Sequence, residues 1–225
     1  MQRARLRHRP IRIYLKVLPQ RGKRIADAYE AMGDNANDPH VAASYRAMII
    51  ETFAQYQFVK KAGLTVELIE SGAPDPYRAS PRLAIIDVRE NKHLWLYPTL
   101  GGFGAVDDGS FRTGNPLLEP TDEYIGTVNL CVNDVFRIVH DYFGHIQEGV
   151  GFRADGEENA WRCHAAMYSR EALGAITTEL RGQNSWLNYG PHGERNRSAS
   201  AAETVYAQQK IGLLPPWAWD EGRHD

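Results

Sequence analysis

Between Asp38 and Gly63 the apolar residues Ala42, Tyr45, Ile49, Phe53 and Tyr56 return at helical intervals, which predicts a long helix packed along a core. Asp38 is placed to cap it, Pro39 suits its first turn and Gly63 suits its end. The segment 21–32 reads as a shorter helix before it. Residues 65–71 ("TVELIES") and 92–99 ("KHLWLYPT") read as strands, with a helix over 80–91 between them. From Leu100 to about Thr127 the period is lost amid Gly, Pro and Asp, yet Phe103, Phe111, Leu117, Leu118 and Tyr124 argue for an ordered lid or cleft wall.

Helical periodicity then resumes. The segment 132–149 opens with Asn133 or Asp134 as cap and carries Val135, Phe136, Val139, Tyr142, Phe143 and Ile146 on one face. Two more helices are expected over 156–169 and 170–183. A last one is expected over 198–217, ended by Gly212 and two prolines. These elements predict a mostly α (α+β) single domain over residues 25–225, with a small sheet and a long ordered central loop, preceded by a basic arm over 1–24. No repeat, Rossmann or P-loop glycine pattern is present.

The chain has 225 residues, 43% hydrophobic and 24% charged, with two cysteines, Cys131 and Cys163. That is the make-up of one globular domain in a reducing, cytoplasmic setting. No apolar run approaches the roughly 20 residues that span a bilayer, so no membrane partner is expected. A net charge of −2 hides a basic start: Arg3, Arg5, Arg7, Arg9, Arg12, Lys16, Arg21, Lys23 and Arg24 all precede the first acidic residue, Asp27. Such an arm either contacts nucleic acid or another acidic partner, or is a solvated terminus.

The stretch "VHDYFGHIQEG" carries the main candidate chemistry. His140 and His145 stand five apart, and on a regular helix that separates them by roughly 140°. Gly144 offers a way round this. If the helix loosens there, the second imidazole can swing toward the first and both can bind one ion as neutral ligands. The zinc-protease pattern H-E-x-x-H needs a four-residue spacing and a glutamate between, neither of which is present, which argues against a standard zinc protease.

"HDYFGH" resembles the "HELLGH"-type motif of the pterin-dependent aromatic amino acid hydroxylases. In that family two histidines and a later glutamate in a Thr-x-Glu context hold a non-haem iron(II). The resemblance implies a mononuclear iron oxygenase or hydroxylase with His140, His145 and Glu179 as ligands, Glu179 standing in "AITTELRGQ" after Thr177. Fe(II) is then the expected ion, and another divalent metal the alternative. Such a triad leaves positions open for oxygen and cosubstrate. Asp141 stands where that family has a glutamate linked to the pterin side of the site, and no pterin-binding loop is identifiable. "GEENAWRCHAAMYS" and "TELRGQNSWLNYGPHGE" resemble segments of uncharacterised phage and prophage proteins, implying a host-cytoplasmic setting.

Glu157, Trp161 and His164 share a helical face, so either Glu157 or His164 is a further candidate ligand, or both merely flank a buried Trp. Glu158, four before Arg162, has the spacing of a surface ion pair. Glu179, Arg181, Gln183, Asn184, Ser185, Trp186, Asn188, Tyr189, His192 and Arg195 crowd polar and aromatic groups into one stretch. That favours a loop that reads a small-molecule or nucleotide substrate, with Arg181 joining Asp141 and Glu157 as catalytic candidates and Gln183, Asn184, Trp186 and Asn188 as substrate contacts. Two other functions fit the residues. One is an HD-type nucleotide phosphohydrolase using His140–Asp141 with His93 upstream. The other is a non-enzymatic phage accessory protein with buried histidines.

Overall fold

The computed structural model describes residues 8, 10, 13–70, 72–99, 114–199 and 203–220. Helix α1 (Pro19–Ala31) leads into α2 (Pro39–Lys61). The Asp38 carboxylate accepts from the amides of His40 and Val41 at 2.8 and 3.1 Å, satisfying donors that the first turn of α2 leaves open. Past its end Gly63 adopts φ 86°, a conformation that side chains resist. The buried side of α2 is rotated from the predicted one. It consists of Val41, Ser44, Tyr45, Met48, Glu51, Thr52, Gln55, Tyr56 and Val59, a face with polar groups on it.

Strands β1 (Thr65–Leu68) and β2 (His93–Leu96) pair in parallel, Thr65 opposite His93. The crossover carries α3 (Arg82–Ile86), which widens into a π turn over Asp87–Asn91. The predicted lid lies partly outside the described residues. Its described end, from Pro120, is an antiparallel hairpin of β3 (Pro120–Ile125) and β4 (Val128–Cys131). The turn before it, Pro116–Leu118, buries Leu117 and Leu118.

Helix α4 (Val132–His140) follows β4 at once. It starts earlier than expected, because Asp134 is not its cap. The Asp134 carboxylate instead reaches back to accept the Cys131 amide at 2.9 Å and the Thr99 amide at 2.7 Å. A π turn over Asp141–Ile146 extends α4, and α5 (Ala154–Ala165) packs back across it. Next, α6 (Leu173–Thr177), a π turn over Thr178–Gly182 and α7 (Gln183–Tyr189) run on without a break, and α8 (Gly193–Asn196) is a short last helix. The polar stretch expected to be a loop is therefore largely helical.

The main core joins α2, α4, α5 and α6 through Tyr45, Met48, Val135, Ile138, Val139, Phe143, Trp161 and Ile176. A second cluster seats Ile25 and Tyr29 of α1 against Trp186, Leu214 and Ala218. The helix expected over 198–217 does not form in its described part, because tertiary partners take its backbone. Asn196 holds both the amide and the carbonyl of Val205, Tyr29 donates to the Gln208 carbonyl, Asp34 accepts the Ile211 amide and Thr178 accepts the Leu214 amide. Gly212 is part of the cause: a Cβ there would lie 2.7 Å from the Gly33 carbonyl oxygen. Among the described residues no helix is long and apolar enough to cross a membrane.

Arg3, Arg5, Arg7, Arg9 and Arg12 of the basic arm lie outside the described residues. The segment just before α1 is bound to α5. Leu15 exchanges two hydrogen bonds with the Asn159 side chain, at 2.9 and 2.7 Å, and the Val17 amide donates to Asp155 at 2.8 Å.

Candidate metal centre

The π turn resolves the awkward spacing of His140 and His145. In it an amide bonds the carbonyl five residues back, as Gln147 does to Tyr142 at 3.0 Å, and a residue five ahead returns over the first. His145 Nε2 thereby comes within 3.2 Å of His140 Nε2. The helix neither ends nor frays at Gly144. Glycine supplies space: a Cβ would stand 3.0 Å from His140 Cε1 and Nδ1 and 3.1 Å from the Ala160 carbonyl oxygen of α5.

Glu157, on the first turn of α5, completes the group. Its Oε2 lies 3.6 Å from His140 Nε2 and 3.3 Å from His145 Nε2. Ligands about 2.1 Å from an ion lie about 3.0 Å apart at right angles and about 3.4 Å apart at the tetrahedral angle. The three edges of this triangle, 3.2, 3.3 and 3.6 Å, fit a single divalent ion seated slightly above it. Burial pulls the His145 imidazole down, but the Glu157 carboxylate outweighs it and the net shift is upward. Burial would push Glu157 up, yet the two imidazoles hold it well below the usual carboxylate range. A dication would serve the same carboxylate and replace the ring protons. Phe152 covers His145 at 4.2 Å between ring centroids.

His164 is not a member of the triangle but orients one. Its Nδ1 is 3.2 Å from His140 Nδ1 and its Nε2 is 2.9 Å from Gln55 Oε1. Burial first, then the neighbouring imidazoles, keep His164 neutral. With Gln55 accepting, the His164 proton sits on Nε2 and its Nδ1 accepts from His140 Nδ1–H. His140 Nε2 is then left with a lone pair facing the triangle. Gln55→Leu is expected to weaken metal binding roughly 10–100-fold in calorimetric titration, the usual cost of losing such an outer partner. Gln55→Glu, which can only accept, is expected to retain binding. Unchanged affinity in Gln55→Leu would remove the relay from the account.

The triad implied by the resemblance is not brought together as a whole. Glu179 sits on the π turn after α6, where it accepts from the Tyr45 hydroxyl at 2.5 Å and the Gln183 amide at 2.7 Å, apart from the two histidines. Burial outweighs those hydrogen bonds and raises its carboxyl to about 7. A carboxyl raised in the folded state contributes stability that is complete below its unfolded value of about 4.3 and is lost as pH climbs through 7. Glu179→Gln is therefore expected to match the parent near about pH 4 and to exceed it by about 3 kcal/mol above about pH 8 in urea denaturation.

The remaining candidates have protein partners. Asp141 follows His140; burial raises its carboxyl, against the opposing influence of His145, His140 and Arg137. Arg181 is buried and bidentate on Glu158, at 2.9 and 2.5 Å, so Glu158 is no surface partner of Arg162. Gln183 bonds Glu179 and Gln209, Asn184 donates to the Ala154 carbonyl, Trp186 donates to Glu30 and Asn188 donates to Asn184. His93 is held by Asp87 at 2.7 Å and Glu67 at 3.6 Å beside the parallel strands. Gln55 went unremarked in the sequence. The available signal was a row of polar residues, Glu51, Thr52 and Gln55, in phase with Met48, Tyr56 and Val59.

No family model, curated protein or solved structure matches this chain.

Proposed function

We propose that the chain is a metal-dependent enzyme of the mononuclear non-haem iron type, an oxygenase or hydroxylase, with His140, His145 and Glu157 holding iron(II). The observation that carries this reading is a triangle of two buried imidazole nitrogens and one half-buried carboxylate oxygen of the right size for one ion. Two neutral ligands and one anion on a single face leave the opposite positions for exogenous groups, the arrangement that suits oxygen chemistry. Bound iron would supply oxygen activation. The chain's own part is to fix the two imidazole lone pairs, through the π turn and the Gln55–His164 pair, and to set one negative charge opposite them. Phe152 shields the His145 side from water. The substrate expected is a small molecule or a nucleotide, and a pterin is a cosubstrate to be tried.

Protein purified without oxygen is expected to bind iron(II) at this site and to consume oxygen when air is admitted together with a reductant or a reduced pterin, with both activities absent in His145→Ala. Nucleotide hydrolysis with manganese and no oxygen uptake would favour the HD-type reading instead. That reading has less support, because His93 is engaged by Asp87 and Glu67 and joins no group with His140 among the described residues.

A further inference from the structure

We propose a second metal site, formed by His8, Glu148 and Cys163, that takes zinc(II) and ties His8 to the turn after the His145 π turn and to α5. It shares no donor with the His140 group and does not depend on the function proposed above.

Three separate segments supply the donors. His8 comes from the start of the chain, Glu148 from the turn after the His145 π turn, and Cys163 from the last turn of α5. One imidazole nitrogen, one carboxylate oxygen and one sulfur lie within 4.8 Å of one another. None of the three is a surface group: the His8 and Glu148 side chains are 14% and 4% exposed, and Cys163 is 1% exposed. His8 Nε2 approaches Glu148 Oε1 to 2.6 Å, and Cys163 Sγ is 3.4 Å from the same oxygen.

Charge pairing alone leaves part of this unexplained. His8 Nε2 is buried and, despite its nearness to the carboxylate, lies outside hydrogen-bond geometry. The His8 ring is held parallel to Phe143 at 6.5 Å, so its nitrogen is directed by packing as well as by charge. An imidazole, a carboxylate and a thiolate together are the donor set of zinc, with water free to take a fourth, tetrahedral position. A soft sulfur among them disfavours magnesium and calcium. Tetrahedral binding asks Nε2 and Oε1 to stand about 3.4 Å apart, which a small rotation of the Glu148 side chain provides. Zinc displaces the thiol proton on binding, and the cation then offsets the negative charge of both Glu148 and the thiolate.

The test uses the full chain, stripped with a chelator and titrated with cobalt(II) and then zinc(II). Cobalt bound here is expected to give a sulfur-to-metal charge-transfer band in the near ultraviolet, which the His140 group, lacking sulfur, cannot produce. Cys163→Ser and His8→Gln are each expected to abolish the band and lower zinc stoichiometry by one equivalent. His8 lies outside the helices, so His8→Gln stays informative if Cys163→Ser fails to fold. Glu157→Gln is expected to keep the band and lose the other equivalent. Absence of the band in the parent protein, or its persistence with undiminished zinc in His8→Gln, overturns the second site. A normal band with no Glu157-dependent metal would count against the proposed function alone.

Discussion

Glu157→Ala is expected to lose the metal equivalent held by His140 and His145, while Glu179→Ala leaves the metal content unchanged. Both are buried or half-buried glutamates, and the resemblance to the aromatic amino acid hydroxylases favours Glu179. Distances favour Glu157, whose Oε2 faces both imidazoles at 3.6 and 3.3 Å. Removing it takes away the only anion of the triangle, so the loss should exceed the roughly 10–100-fold that an outer partner costs. Glu179→Ala removes a carboxyl bonded to Tyr45 and Gln183 instead. Elemental analysis of both variants, with circular dichroism to check the fold, decides the matter. Metal lost from Glu179→Ala and kept in Glu157→Ala would reverse the assignment.

Arg181→Met is expected to destabilise the fold by about 3–5 kcal/mol without altering metal content. The guanidinium binds Glu158 through two nitrogens, donates to the Ala218 carbonyl at 2.6 Å and lies 4.1 Å from the centre of the Trp161 ring. Without it the buried Glu158 carboxylate has lost its counter-charge, which costs more than the pair itself contributes. Pairing Arg181→Met with Glu158→Leu is therefore expected to recover most of the loss, since neither charge is then stranded. Urea denaturation of the two single variants and the double gives the coupling. A fully folded, inactive Arg181→Met of parental stability would instead restore Arg181 to the catalytic candidates.

Much of the architecture could be read from residue order, because local physics governs it. The cap at Asp38, the proline after it and the glycine at position 63 bound α2 with no help from distant contacts. Strands at 65–68 and 93–96 and the helices around 132–146 and 154–165 follow from periodicity in the same way. Where backbone groups find distant partners, local preference loses. The segment after residue 203 has helix-forming residues, yet Asn196, Tyr29, Asp34 and Thr178 bind its amides and carbonyls, and no α-helix forms in it.

The candidate site divides along the same line. That His140 and His145 belong together was legible from the glycine and the paired imidazoles. Their convergence comes about through a widened turn, packed so closely against α5 that a Cβ at Gly144 would stand 3.1 Å from the Ala160 carbonyl oxygen. Glu157, His164 and Gln55 were three among many polar residues in the sequence. Residue order alone determined the helices that carry the histidines. Only packing of α5 and α2 against them decided which acid faces the imidazoles and which nitrogen carries the proton, because those choices rest on distances of a few ångströms between segments far apart along the chain.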